Sequence, residues 1–215
     1  MDNKQPFSQP SFTAPWVIIG LGNPGARYQM TRHNLGRMVV QTLAERYGMV
    51  CKEQKELAVC AGKAIRGNQP FHLVWPVSYM NESGYGVARY LRYWQLGVSQ
   101  LLVVVDDIAL PFGSMRLKAT GGSGGHNGLR HITQMVGSSD YGRLRLGIEG
   151  DRPEGDLADY VLSSFSPTEK LQLPNLIDKA VDAVHLLLDR GMSEAMNRLN
   201  GPDGQLDEKA PVAKA

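Results

Sequence analysis

Residues 16–25 read WVIIGLGNPG, a short apolar run that ends in a glycine-rich turn. An apolar run bounded by turn residues predicts a buried strand over Val17–Leu21. The glycines at 20, 22 and 25 match the GxGxxG pattern of dinucleotide-binding proteins. That pattern needs backbone N–H groups and a helix that opens at the third glycine, whereas Pro24 has no N–H and residues 26–33 precede the next predicted helix. We therefore favour a tight turn that leaves Asn23 at the carboxyl end of a strand, where α/β proteins bind ligands.

Strands that alternate with helices along the rest of the chain predict an α/β sandwich on a mostly parallel or mixed sheet. Helical spacing of apolar residues favours a first helix over 34–47, with Asn34 as its N-cap and Gly48 as its stop. The turn Gly67-Asn68 predicts a hairpin. The other predicted elements are strands at 57–66, 71–75, 101–105, 115–118 and 144–148, and helices at 79–96, near 127–136, 167–190 and 193–199.

The composition is that of a folded protein of one domain, since 42% of the 215 residues are hydrophobic and 20% are charged. Cys51 and Cys60 form no CxxC pair, which argues against a zinc or redox motif. Two cysteines fit a reducing compartment, although the sequence alone does not exclude a disulfide between them. The apolar runs are too short to span a membrane. We expect a disordered leader over 1–15, or a processed transit segment, then a domain over 16–200 and a flexible tail over 201–215.

Charge is distributed unevenly, although the formal net charge is only +2. Residues 27–66 hold eight basic and three acidic side chains (+5), and residues 108–148 hold five and one (+4). Residues 149–182 hold three and eight (−5). Solvated surface explains most runs of charge, and a basic face that binds a polyanion is the alternative. The residues alone leave both interpretations open.

Polar side chains stand at the ends of several predicted elements: Asn23, His33, Asn81, Asp106 and Asn127. A His–Asp pair activates water because the carboxylate fixes the imidazole tautomer, and amide side chains orient water or stabilise an oxyanion. No serine is predicted to sit in a strand-to-helix nucleophile elbow, and the five histidines show no HExxH or paired-ligand spacing, so we predict water as the nucleophile and no metal. Helix caps, turns and ordinary surface account for the same residues, so this pattern alone does not establish a hydrolase.

Several motifs, taken in order, resemble those of the bacterial peptidyl-tRNA hydrolase family and together cover about residues 16–200. They are IGLGNPG (19–25) with Tyr28 and TRHN (31–34), YMNESG (79–84), DD (106–107) with LPFG (110–113), GGHNGL (124–129), RLRLGI (143–148) and DYVL (159–162). The chain departs from the usual family pattern at WPVS (75–78) and at Ala109, which stand beside the proposed chemistry.

The resemblance implies hydrolysis of the ester that joins a peptide to the 3′ ribose of tRNA. It implies a single α/β domain with a twisted, mixed and mostly parallel sheet between helices, which acts as a cytoplasmic monomer without a metal or other cofactor. The residue matching His33 is the general base in this family, and the carboxylate matching Asp106 assists it. Substrate-binding roles carry over to Asn23, Tyr28, Tyr79, Met80, Asn81 and Asn127, and a grip on the tRNA end carries over to Lys118 and Arg145. Peptidyl-tRNA is the expected partner, held through phosphate contacts that need no base reading.

Two other functions stay open at this point. A non-enzymatic RNA-binding protein is the first, because plant organellar splicing factors resemble the same family; it predicts a large exposed apolar patch for a protein partner. A dinucleotide-binding oxidoreductase is the second, and it predicts binding of a reduced nicotinamide cofactor.

Overall fold

The computed structural model describes residues 14–150 and 156–201, which contain seven strands and five α-helices. The strands are β1 (Trp16–Gly20), β2 (Lys52–Gln54), β3 (Val59–Arg66), β4 (Gln69–Pro76), β5 (Leu101–Pro111), β6 (Met115–Lys118) and β7 (Gly142–Glu149). The helices are α1 (Leu35–Arg46), α2 (Ser83–Tyr93), α3 (Asn127–Val136), α4 (Leu157–Leu162) and α5 (Pro167–Leu199). The leader predicted over 1–15 and the tail predicted over 201–215 lie outside the described residues, apart from 14, 15 and 201.

The strands form one sheet in the order β2-β3-β4-β1-β5-β7-β6. The central strand β1 pairs in parallel with β4 and β5, and β5 pairs in parallel with β7. The edges are antiparallel, because β2, β3 and β4 form hairpin-like pairs on one side and β6 pairs with β7 on the other. This arrangement confirms the predicted mixed sheet of an α/β fold.

Alternating side chains along the central strands build an apolar layer on each face of the sheet. Ile18 and Val104 belong to a cluster that includes buried residues of α1 and α5. Ile19 and Val103 belong to a second cluster that includes buried residues of α2 and α3. The sheet therefore lies between two helical layers, as the sequence predicts.

Two glycines allow α1 to lie directly on the sheet. A Cβ atom at Gly36 would lie 2.0 Å from the carbonyl oxygen of Val104, and one at Gly20 would lie 2.7 Å from the carbonyl oxygen of Gly36. Any side chain at these positions would push the helix away from β1 and β5. The close approach holds the start of α1 against the end of β1 and the Val104 carbonyl of β5.

Most predicted elements are found with shifted ends, and two elements were missed. A 3₁₀ turn over Arg32–Asn34 precedes α1, whose predicted cap Asn34 makes no capping bond and instead holds the loop at Asn23. The predicted stop is confirmed, because Gly48 has a φ of 56° and the next N–H donates to the carbonyl of Ala44. The short strand β2 and the helix α4 were not predicted. The helices predicted at 167–190 and 193–199 are both found within α5, because Gly191 (φ 78°, ψ 173°) interrupts the helical backbone between them.

Asn200, the C-cap of α5, pairs with the outer edge of the sheet. The Leu117 N–H of β6 donates to Oδ1 of Asn200 at 3.0 Å, and Nδ2 of Asn200 donates to the Leu117 carbonyl at 2.7 Å. One amide side chain thus satisfies both backbone groups of an edge-strand residue.

The structure also bears on two other expectations. Cys51 and Cys60 are free thiols, and burial together with the neighbouring Cys60 raises the pKa of Cys51 to about 11. No helix within the described part of the chain has the length and apolar character of a membrane span.

Candidate active site

The polar residues predicted from the sequence meet at the carboxyl ends of the parallel strands. Asn23 follows β1, Met80 follows β4, and Asp106 lies within β5. Because β1 lies between β4 and β5, these ends flank the place where the strand order reverses, which is the usual ligand crevice of an open α/β sheet. His33 reaches this edge from the turn before α1, and His126 from the N-cap of α3.

His33 and Asp106 form a buried hydrogen-bonded pair. Nδ1 of His33 lies 2.9 Å from Oδ2 and 3.1 Å from Oδ1 of Asp106. A carboxylate only accepts hydrogen bonds, so the proton of the neutral imidazole is on Nδ1 and the lone pair is on Nε2. Within residues 14–150 and 156–201, no group is hydrogen-bonded to Nε2, and the His33 side chain is 10% exposed. The free nitrogen is therefore the one that water can reach.

His126 is a second histidine on the same carboxylate, and sequence reasoning did not select it. Its Nε2 lies 3.1 Å from Oδ1 of Asp106. Its Nδ1 accepts the backbone N–H groups of Gly128 at 3.1 Å and Leu129 at 3.4 Å, as the N-cap of α3. Nδ1 must hold a lone pair to accept, so Nε2 carries the proton and donates to Asp106. Both nitrogens of His126 are thus occupied, which leaves only His33 with a free basic nitrogen in this cluster.

The cluster shifts the pKa of both His33 and Asp106. Burial opposes the charged form of His33, but the charge and hydrogen bond of Asp106 outweigh it and raise the pKa of His33 above 6.5. Burial alone would raise the pKa of Asp106, whereas attraction to His33 and His126 and their hydrogen bonds hold it well below its usual range. Asp106 therefore remains a carboxylate that stabilises a positively charged His33.

A network of amides fixes the loop after β1. The backbone N–H of Asn23 donates to Oδ1 of Asn34 at 2.8 Å, and Nδ2 of Asn34 donates to the Asn23 carbonyl at 3.0 Å. Oδ1 of Asn23 accepts the Met80 N–H at 2.8 Å, which joins the ends of β1 and β4. In the described chain nothing accepts from Nδ2 of Asn23, so this buried amide presents a hydrogen-bond donor to the site.

The other predicted substrate-binding residues surround this network. Tyr28 and Tyr79 contact each other edge to face, with ring centroids 6.4 Å apart, and Tyr79 is 51% exposed. Met80 is buried in the apolar cluster that contains Leu21 and Leu129, and Asn81 is exposed in the 3₁₀ turn that precedes α2. Asn127 is exposed at the first position of α3, where its Oδ1 accepts a hydrogen bond from Arg130 at 2.6 Å. Its Nδ2 faces no acceptor among the described residues.

Lys118 and Arg145 differ in how far their side chains are exposed to solvent. Lys118 is exposed on the edge strand β6. Arg145 is only 8% exposed, because Nη1 donates to Asp107 and Nη2 donates to the Gly122 carbonyl, both at 2.9 Å. A Cβ atom at Gly124 would meet the Arg145 guanidinium at 2.9 Å. Arg145 thus supports the glycine loop that leads to His126, a contact that the sequence did not reveal.

The spacing of His33, Asp106 and His126 is short enough for a metal site, since one ligand atom from each lies within 4.8 Å of the others. A metal would need the lone pair on Nε2 of His126. The proton would then occupy Nδ1, where the N–H groups of Gly128 and Leu129 already donate. The donor set of this cluster does not fit a metal ion, and hydrolysis without a metal stays a prediction.

The family of the chain follows from comparison with known proteins, because the family model for peptidyl-tRNA hydrolase matches residues 17–209. The chain belongs to the peptidyl-tRNA hydrolase family. Peptidyl-tRNA hydrolases of Chloroflexus aggregans and Kineococcus radiotolerans are 44% and 45% identical to it in alignments of 186 and 195 residues. These alignments cover 86% and 87% of this chain and 98% of each relative. The crystal structure of peptidyl-tRNA hydrolase from Acinetobacter baumannii is 34% identical, matches 87% of this chain and 95% of that chain, and superposes with a TM-score of 0.81.

The structure also shows what the glycine pattern at 20–25 does in this member of the peptidyl-tRNA hydrolase family. The Asn23 N–H, which a phosphate cradle would use, donates to Asn34 instead. The following α-helix begins at Leu35 and not at Gly25. The glycine at position 20 serves contact between strand and helix, so the structure offers no support for a dinucleotide site here.

Proposed function

We propose that this protein hydrolyses the ester bond between peptide and tRNA in peptidyl-tRNA, with a water molecule activated by His33. One observation carries the mechanism: Nδ1 of His33 is held by the buried carboxylate of Asp106, while Nε2 has no partner among the described residues. Family membership supplies the substrate class.

The proposed reaction begins with proton transfer from water to Nε2 of His33, as water attacks the carbonyl carbon of the ester. Asp106 remains ionised and stabilises the imidazolium across the hydrogen bond of 2.9 Å. The tetrahedral intermediate then collapses, the bond between the acyl carbon and the 3′ oxygen of the ribose breaks, and His33 returns its proton to that oxygen. The products are tRNA and the carboxylic acid of the peptide, which releases its proton to solvent.

The amide side chains supply the groups that such a reaction needs around its centre. Nδ2 of Asn23 is a fixed donor, because Oδ1 of the same side chain is held by the Met80 N–H. We assign it to the carbonyl oxygen of the ester or to the attacking water. Asn81 and Asn127 are exposed and would bind backbone groups of the peptide, which suits a substrate whose side chains vary. Tyr28, Tyr79 and Met80 would line the same crevice.

The tRNA is proposed to bind through phosphate contacts on the side of β6 and β7. Their register places Arg116 opposite Arg145 and Lys118 opposite Arg143, so four cationic side chains project from one face of this pair of strands. Arg143 is fully buried and donates to the carbonyls of Ser139 and Tyr141, so it does not reach a phosphate. Lys118 and Arg116 are exposed, which makes them direct phosphate contacts, while Arg145 acts mainly on the loop beneath. A monomer that works in the cytoplasm remains our proposal for its assembly and compartment.

Release of peptide from a defined peptidyl-tRNA by the purified protein tests this function. Wild-type protein should liberate free tRNA in multiple turnovers, and His33→Ala should reduce the rate by about 10²–10⁴-fold because the proton acceptor is lost. Binding of peptidyl-tRNA without turnover would favour the non-enzymatic RNA-binding alternative instead.

A further inference from the structure

The residue before the proposed general base is a buried arginine with an extensive set of partners. Nη2 of Arg32 donates to Oε2 of Glu169 at 2.5 Å, and Nη1 donates to the Ser164 carbonyl at 2.5 Å and to Oγ of Ser163 at 2.8 Å. The guanidinium carbon lies 4.5 Å from the ring centroid of Tyr160. The side chain of Arg32 is 5% exposed and that of Glu169 is 11% exposed.

These partners all come from the far end of the chain, between α4 and the first turn of α5. Glu169 is fixed independently of Arg32, because its Oε2 accepts the Ser166 N–H at 2.6 Å and its own N–H donates to Oγ of Ser166 at 3.2 Å. The backbone is attached as well: the Arg32 N–H donates to the Ser163 carbonyl at 3.1 Å, and Thr31 forms a β-bridge with Ser164. The turn that carries His33 is therefore held to a rigid helix start.

We infer that Arg32, through its ion pair with Glu169, is a positioning residue that fixes the His33 imidazole against Asp106. On its carboxyl-terminal side this turn is held by Asn34, which bonds the Asn23 loop. On its amino-terminal side the contacts of Arg32 hold it to α5. His33 stands between these two attachments, so loss of either one lets the imidazole move relative to the carboxylate. Displacement of a reacting group by about 1 Å costs up to about 10²-fold in rate.

The inference rests on the proposed function for its kinetic consequence, but its geometric core has a separate readout. In the described chain, the ionisable groups that face His33 are Asp106 from β5 and His126 from α3. An imidazole held less firmly against Asp106 loses part of the interaction that raises its pKa. NMR titration of His33 in the free protein therefore reports its position without any substrate.

Glu169→Gln and Asp178→Asn form a matched pair of variants for the test. Each converts an α5 carboxylate to an amide, but Asp178 pairs with Arg46 of α1 on the surface, with side chains 58% and 38% exposed. Glu169→Gln should lower kcat about 10–100-fold with little change in KM, and should move the pKa of His33 toward 6.5. Asp178→Asn should change neither kcat nor the titration of His33.

Ser163→Ala completes the test, since it removes one partner of Arg32 without changing any charge. It should lower both kcat and the pKa of His33, as Glu169→Gln does, but by less. Because no charge is removed, a change in the pKa of His33 in this variant reports a change in the position of the imidazole. The inference would be overturned if both Glu169→Gln and Ser163→Ala kept the wild-type kcat and the wild-type pKa of His33. It would also be overturned if the loss of kcat followed thermal unfolding while the pKa of His33 stayed unchanged. Should Glu169→Gln not fold, Ser163→Ala alone decides. Absence of hydrolysis by the wild-type protein would reject the proposed function, while the NMR comparison would still decide the positioning role.

Discussion

Replacing Asp106 by asparagine should disable His33, the proposed general base, without removing its side chain. In the native site the carboxylate accepts Nδ1–H of His33 and Nε2–H of His126, so both neighbours are donors. An amide has one accepting atom and one NH₂ group. Placed at the Oδ1 position, the NH₂ would face both histidines at 3.1 Å; placed at the Oδ2 position, it would face His33 alone at 2.9 Å. The second orientation costs less, and it opposes the Nδ1–H tautomer of His33.

The size of the effect follows from two losses. An unpaired buried donor costs about 1–3 kcal/mol, which moves the tautomer ratio of His33 about 5–150-fold toward Nε2–H. That tautomer cannot accept a proton from water at Nε2. The charged hydrogen bond that stabilises the imidazolium is lost as well, which is worth about 1.5–3 kcal/mol. Together they predict a fall in kcat of about 10²–10⁴-fold, while His126 keeps its tautomer because Gly128 and Leu129 still donate to Nδ1.

Single-turnover hydrolysis of peptidyl-tRNA measures this loss. Asp106→Asn should be less severe than His33→Ala, and the double variant should be no slower than His33→Ala alone, because the two residues act as one unit. NMR of the His33 ring nitrogens should show the proton moved to Nε2. Near wild-type kcat in Asp106→Asn, or additive losses in the double variant, would show that the carboxylate does not control the base.

The structure leads to four other predictions. The value of kcat/KM should rise with pH through a pKa above 6.5, because only neutral His33 accepts a proton and its pKa is raised in the fold; a limb centred below 6.5 would contradict this. Hydrolysis of a short peptidyl-nucleotide should survive a chelator, and activity that only a transition metal restores would argue against the His–Asp mechanism. Lys118→Ala should raise KM for full peptidyl-tRNA and make the salt dependence shallower by about one unit of slope, with no effect on a substrate that lacks the acceptor stem. Arg145→Ala should impair both substrates, since it supports the loop before His126; a defect confined to the full substrate would instead make Arg145 a phosphate contact.

The sequence predicted the fold well where burial dictates the pattern. The runs that became β1 and β5 are apolar because both faces of these strands are covered, and the hairpin of β3 and β4 turns at Gly67, whose φ is 56°. The polar strand β2 carries no such pattern, because its three residues are at the exposed edge of the sheet. It forms through pairing with β3, which depends on the tertiary structure.

The candidate site was predicted only in part, because local sequence patterns do not show pairs of residues that meet only in the folded chain. His33 and Asp106 belong to distinct motifs, and the position of each at an element end suggested that they meet. His126 was missed although it stands between a glycine loop and α3; a residue that caps a helix and bonds a carboxylate at once has no signature beyond that position. The pairs of Arg145 with Asp107 and of Arg32 with Glu169 join residues far apart in the chain, so no local pattern predicts them.

The amide of Asn200 on the edge strand also matters for how this protein behaves at high concentration. An exposed strand edge recruits strands from other molecules, which leads to aggregation. At Leu117 both backbone groups are already taken by Asn200, so a foreign strand cannot extend the sheet through this residue. A truncation that ends at Leu199 would uncover that pairing position, whereas a tag attached beyond residue 201 leaves it closed. The end of the last helix thus blocks the addition of a foreign strand at this position of the sheet edge.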